Sequence, residues 1–431
     1  MPKLARRSLF AAAGLLGLAT RSQAYAGLAI PEGGAHLDPL VLARDEAHWE
    51  RVSRLFERPE GGVIQLEHGQ FGAMTRATLL AYSQRIRQIN RQTTLYTRSP
   101  TAAGDLAAVR AAVAGLVGCT PEEVALTRGA TESLKALIAG YGGLNPGDAV
   151  LYCDLDYDAM QQAMAWLAHR RGVRVVRIAL PEPATYEGVI EAYEAALRAN
   201  PDVRMMLLTH VSHRTGLLTP VREITEMARS RGVDVILDAA HAVGQTDVQL
   251  AALGVDFAGL NLHKWIGAPL GCGAVYIRKD RIGDIEPDGC EPDGPGITAR
   301  VHTGTFNYAA MLSVPDAIRT HEAIGPAAKA ARLSYLRNLW AETLREDPRI
   351  EILTPPDGRM HAGITSFRIR GRVTREENRA ICARLLKEFG IFTVERDGPA
   401  RGACVRVSPH LINTAGQMQR LVEAVRAIAR S

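Results

Sequence analysis

The chain has 431 residues, 47% of them hydrophobic, 23% charged and 5% aromatic, with six cysteines and a formal net charge of +5. That length fits a large domain with a smaller companion, and the composition excludes a low-complexity or disordered chain. The positive excess is local: Lys3, Arg6, Arg7 and Arg21 face no acidic residue among the first 26, so beyond them the net charge falls to +1, which leaves no electrostatic case for nucleic acid.

Those first residues predict a segment apart from the fold. Arg6 and Arg7 precede an apolar run, Leu9 to Ala19, too short to span a bilayer, and Ala24-Tyr25-Ala26 offers an A-x-A cleavage site. The pattern predicts a twin-arginine export signal over 1–26, with the export machinery as a partner and the periplasm as the destination. A general secretory signal and a membrane anchor are the alternatives. The cysteines (Cys119, Cys153, Cys272, Cys290, Cys382, Cys404) form no C-x-x-C, so no metal site is expected. An oxidising compartment would permit one disulfide, which spacing does not select.

Beyond the signal, LDPLVLARDEAHWERVSRLFER predicts an amphipathic helix, and VIQLEHGQFGAM a short strand running into a loop with Gly69 and Gly72. Pro100 to Gly104 predicts a turn, and DLAAVRAAVAGLVG a helix. VALTR, ending at Arg128, predicts a strand and GATESLKALIAGYGG a helix behind Gly129. A glycine followed by the amides of Ala130 and Thr131 at a helix start makes a seat for a phosphate. A plain helix capped by Thr131 is the simpler alternative. AVLYCD, VRVVRIAL and RMMLLTH continue as strands with helices between them, a pattern that predicts an α/β fold with a parallel sheet. Tyr157 follows one strand end, and His210 and His213 follow another. Their H-x-x-H spacing lacks a third metal ligand.

Val233 to Lys279 carries the chemistry. DVILDAA is a β-branched run ending at Asp238, FAGLNLHK an apolar run ending at Lys264, and CGAVYIRK a third strand. Ends of neighbouring strands in such a sheet face the ligand crevice, so a carboxylate and an amine can meet one ligand from two sides. Pyridoxal 5'-phosphate (PLP) has the matching shape: an aldehyde for a lysine, a ring nitrogen for a carboxylate and a phosphate for backbone amides. A turn-capping Asp238 and a solvated Lys264 are the alternatives. His263, Trp265 and the glycine-rich IGAPLGCG around the lysine disfavour them. A cofactor bound before export also suits the twin-arginine route.

With D-A-A-H at 238–241 followed by H-K at 263–264, the chain resembles the class V aminotransferase branch of PLP fold type I, most closely its isopenicillin N epimerase-like members. The resemblance implies a large mostly parallel-sheet domain over 27–310 and a smaller C-terminal α+β domain over 311–431. It implies that Lys264 and Asp238 are catalytic, and that Gly129, Ala130, Thr131, Tyr157, His213, Asp238, His241, His263, Lys264 and Thr305 hold the cofactor. Tyr157 stands where an aromatic ring, often histidine, stacks on the pyridine, and His213 where a side chain meets the ring hydroxyl. Gly304-Thr305 resembles a motif that reaches the neighbouring subunit's phosphate, which implies a homodimer. Arg406 in CVRVSPHLINT stands where the family's arginine holds the substrate carboxylate. The implied reaction begins with a small amino substrate displacing Lys264, whose freed amine removes the Cα proton. Transamination, epimerisation, elimination and decarboxylation share that step. ERDGPARGA lacks a cysteine before Cys404, which disfavours persulfide chemistry. Export favours tailoring of a secondary metabolite such as a siderophore. A C–S lyase is the alternative within the family. A non-catalytic binding protein is disfavoured by the intact Lys264, Asp238, His263 and Arg406, and a nicotinamide dehydrogenase by the absence of G-x-G-x-x-G after a first strand.

Overall fold

The computed structural model describes residues 37–431, so the expected export signal lies outside the described residues. Strand β1 (Ile64–Gln65) is followed by β2 (Val124–Thr127), β3 (Ala149–Cys153), β4 (Arg174–Ile178), β5 (Val203–Thr209), β6 (Asp234–Asp238), β7 (Phe257–Asn261) and β8 (Gly273–Ile277). These last seven form one sheet in the order β2-β8-β7-β6-β5-β3-β4. All pairs from β4 to β7 are parallel, and β8 is antiparallel to both β7 and β2. Every residue of β2, β3, β7 and β8 is buried. Helices cover both faces, so the strands read as unbroken apolar runs without alternation.

The topology brings the C-terminal ends of β2, β3, β5, β6 and β7 to one edge, where β8 begins. Gly273 pairs with both Asn261 and Thr127. A side chain on Gly273 would run into the Gly129 backbone, so the β2–helix junction sits directly against the β7–β8 turn. Asp238 closes β6, while Lys264 lies three residues past β7.

Two local expectations are corrected. The first amphipathic helix is two, Pro39–Leu42 and Glu46–Ser53, because the Asp45 carboxylate accepts from the His48 amide at 3.0 Å and starts a new helix. Pro100 opens the helix Pro100–Val117 instead of a turn, since proline's fixed φ and missing N–H suit the first helical position.

The smaller unit is a four-stranded antiparallel sheet, β12 (Val394–Arg396), β13 (Cys404–Val407), β10 (Thr365–Ile369) and β9 (Ile350–Ile352). Helices Pro326–Arg345, Arg375–Phe389 and Ala415–Arg430 pack with it. The division expected at residue 310 is bridged at two places. Helix Pro326–Arg345 places Ala328 and Leu333 in the central core and Leu336, Trp340 and Leu344 in the small one, so it belongs to both. The N-terminal segment also crosses over: β1 pairs in parallel with β11 (Ile391–Phe392), and Ile64 and Leu66 are buried in the small core.

Candidate active site

A cleft of about 870 Å³ opens at the strand-end edge, within the range of small-molecule sites. Its walls include Gly129, Ala130, Thr131, Tyr157, His213, Asp238, His241, His263, Lys264 and Arg406. Of the cofactor and substrate positions expected from sequence, Thr305 alone does not line it; Thr305 is exposed on a separate loop of the same chain.

Lys264 is the centre. Its Nζ lies 2.9 Å from His241 Nε2. Burial pulls its pKa down from 10.5 to about 8, with Asp238 and Glu67 acting to raise it and Arg406 and Arg396 to lower it. Burial also drives His241 far below the ordinary histidine range, so the imidazole is neutral and Nε2 accepts from the ammonium. The remaining proton is then on Nδ1, which is buried without a partner in the described residues. Asp238 is 5% exposed. One of its oxygens accepts from the Ala240 amide at 2.9 Å, so it caps the turn as well as facing the lysine. Its pKa is raised, chiefly by burial, against the Ala240 hydrogen bond and the Lys264 charge.

The backbone of Lys264 is clamped. The Gly72 amide donates to the His263 carbonyl at 2.9 Å, and a Cβ on Gly72 would overlap the Lys264 carbonyl oxygen. From the other side Lys329, buried in helix Pro326–Arg345, donates its Nζ to the Trp265 carbonyl. His263 turns its Nδ1 to the Cys272 carbonyl at 2.9 Å, which fixes that nitrogen as the donor.

At the helix start the structure revises one contact. The Ala130 amide donates to Asn261 Oδ1 at 2.8 Å, so it is already satisfied by a side chain from the end of β7. Thr131 makes no capping bond; the cap position is Gly129, without a side-chain partner. Arg128 and Glu132 pair at 2.7 Å beside it, and Glu132 also takes the Arg128 amide. Tyr157 stands edge-on to His213, ring centroids 5.2 Å apart. Burial lowers the His213 pKa to about 3 against the pull of Asp158, and its Nδ1 has no partner among the described residues.

Several residues here were not singled out from sequence. Asp156 is wholly buried, takes the Thr209 hydroxyl at 2.6 Å and the Cys153 amide at 2.7 Å, and is raised to about 7, first by burial. Glu67 and Arg396 lie against Arg406. Arg406 is 1% exposed, donating Nη1 to the His213 carbonyl at 2.7 Å and Nη2 to Glu67. A carboxylate of the chain itself, Glu67, thus takes one arm of the fork that the resemblance assigns to a substrate carboxylate. None of the six cysteines lines the cleft, and Cys404 is fully buried in β13.

A sheet with its ligand edge carrying a buried lysine, a buried carboxylate and imidazole nitrogens without partners among the described residues fits a PLP enzyme of fold type I. The chain belongs to the aminotransferase class-V family, whose profile matches residues 73–421. It is 29% identical to isopenicillin N epimerase of Amycolatopsis lactamdurans over 74% of this chain and 84% of that protein. It is 30% identical to a putative L-cysteine desulfhydrase of Oryza sativa over 61% of this chain and 58% of that protein. In fold it is similar to the cysteine desulfurase CsdA of Escherichia coli, with a TM-score of 0.73 at 20% identity over 88% of this chain and 98% of that one. The cystine C-S lyase C-DES gives 0.72 at 21% identity, over 84% and 97%. The cofactor is PLP, and the residues fit it on their own geometry: the buried amine and carboxylate face one cleft, and the imidazoles of His213 and His241 each keep a nitrogen without a partner among the described residues.

Proposed function

We propose that the protein acts on a small amino-acid-type substrate by removing the proton from its α-carbon, with Lys264 as the base. The observation that carries this reading is the state of Lys264: buried, hydrogen-bonded to a neutral His241, and held at a pKa of about 8. Such an amine gives and takes a proton near neutral pH, which a solvated lysine does poorly. Bound PLP supplies the electron sink for the carbon beside the substrate nitrogen. Asp238 is the partner for the ring nitrogen, Tyr157 for the ring face and His213 for the ring hydroxyl, with His241 and His263 steadying the lysine and its turn. Gly129 and Thr131 seat the phosphate, while Ala130 shapes that seat through Asn261 instead of donating to it.

Transamination and epimerisation share this proton transfer, and the epimerase relatives support the pair. A second reading is carbon–sulfur cleavage of the substrate, favoured by the relatives named as desulfhydrases. It needs no enzyme thiol, whereas persulfide formation on the protein does, and no cysteine lines the cleft. Arg6 and Arg7 support export to the periplasm and tailoring of a secondary metabolite such as a siderophore. A homodimer fits the exposure of Thr305 and of the apolar Phe71 and Leu270, with Thr305 serving the partner's phosphate. Borohydride reduction of the yellow holoenzyme should fix the cofactor on a peptide containing Lys264, and product mass spectrometry with candidate amino compounds then separates the reactions. A label on another lysine would remove the assignment.

A further inference from the structure

We propose that Lys329 and Gln245 are positioning residues that hold the Lys264–His241 hydrogen bond against one face of helix Pro326–Arg345. The inference rests on the PLP reading of the cleft and deepens it, because that bond places the reacting amine. Neither residue lines the cleft, and each reaches the pair through its backbone. In the lysine turn four consecutive carbonyls have donors. Leu262 accepts from the Ala268 amide at 3.0 Å, His263 from Gly72 at 2.9 Å and Lys264 from Gly267 at 3.1 Å. The fourth, Trp265, takes Nζ of Lys329 instead of an amide. Lys329 is buried, and its other hydrogen-bond partner is His321 Nδ1 at 3.5 Å, an imidazole that burial keeps neutral. An amine shut away from water with two uncharged partners is costly to place. It differs in this from the other buried cations of the same helix, Arg332 and Arg337, each of which faces a glutamate. Either protonation state of Lys329 leaves an N–H for the carbonyl.

Gln245 holds the other partner. It is buried, donates Nε2 to the His241 carbonyl at 2.7 Å, and accepts on Oε1 from the amides of Gly363 and Ile364 at 2.8 and 3.1 Å. One amide side chain thus ties the histidine to the segment that enters β10 in the small unit. That segment leads back to the helix. A Cβ on Gly363 would lie 2.9 Å from Cβ of Leu333, and Leu333 stands one helical turn beyond Lys329 on the same face. The two turns also touch directly, since a Cβ on Gly244 would lie 2.9 Å from the Trp265 carbonyl carbon. The contacts close into a ring: from Nζ of Lys264 through His241 and Gln245 to the helix, and back through Lys329 to the peptide that follows Lys264. Cutting the ring at either side chain frees one partner of the 2.9 Å bond, and a displacement of about 1 Å can cost about a hundredfold in rate.

The test follows, by absorbance at fixed neutral pH, the rate at which the full chain freed of cofactor fixes added PLP. Lys329→Met and Gln245→Met each remove the polar atoms while keeping an unbranched side chain of similar length. Each should slow fixation at least about tenfold relative to wild type. Both changes are then repeated in a His241→Leu background, where the bond they position is already gone. There each should alter the rate by less than about threefold, because residues that act through one contact are not additive. A structural defect would slow fixation equally in both backgrounds, and that result overturns the proposal. So does a rate within about threefold of wild type in either single variant. If wild type itself fixes no PLP, the PLP reading has failed, a different result from loss of positioning.

Discussion

At the scale of single residues, the site depends on burial that sets charge states without any unusual side chain. Lys264 is the clearest case. Its pKa in the folded protein lies below the unfolded value, near 8 against 10.5, so the neutral, nucleophilic amine appears as pH rises through about 8. The rate at which cofactor-free protein fixes added PLP, followed by absorbance, should therefore climb with a midpoint near pH 8; a midpoint above 10 would show a solvated lysine. By linkage the unfolded chain binds more protons at this residue between about 8 and 10.5, so its contribution to stability improves with rising pH across that window. Asp238→Asn should keep bound cofactor but lower turnover at least about a hundredfold, a barrier increase of about 3 kcal/mol. Turnover within threefold of wild type would reduce Asp238 to the cap of its turn, the other task its hydrogen bond to Ala240 performs.

At the scale of elements, close backbone approach holds the lysine turn in register. Gly72→Ala would drive a methyl group into the Lys264 carbonyl, and the turn must move to make room. Overpacking of this kind costs about 1–3 kcal/mol. The expected result is a folded protein, judged by circular dichroism, that loses most activity because Nζ no longer sits 2.9 Å from His241; full activity would show that the turn is free to shift. The strands that end at Asp238 and beside Lys264 were legible in the sequence, because a fully buried parallel strand needs a continuous β-branched run and its polar terminus then stands out. Glu67 and Arg396 were not legible. Each lies in or beside a strand of two or three residues, too short for periodicity, and the contacts of Glu67 with Arg396 and Arg406 span most of the chain. Asn261 was hidden for a related reason: its capture of the Ala130 amide crosses between two strands that are far apart in sequence and adjacent only through β8.

At the scale of the whole molecule, helix Pro326–Arg345 joins the two units by contributing to both cores. The export proposal also belongs here. Changing Arg6 and Arg7 together to Lys should strand a folded, cofactor-bearing protein in the cytoplasm if the signal is of the twin-arginine kind, because the cleft residues all lie beyond residue 26. Cell fractionation decides it, and undiminished export would point to the general secretory route, which reads only positive charge and an apolar core. The ladder between β1 and β11, with Ile64 beside Ile391 and Glu67 paired to Arg406, has a consequence in time. On the ribosome Glu67 emerges early and waits for a partner more than three hundred residues away, and a loop that long closes late. Until β12 and β13 have been made, the nascent chain carries a carboxylate destined for burial without the two arginines that face it. The wall of the cleft is therefore its last part to assemble, and a chain that stops short of β13 should persist as a target for proteolysis instead of a partly working enzyme.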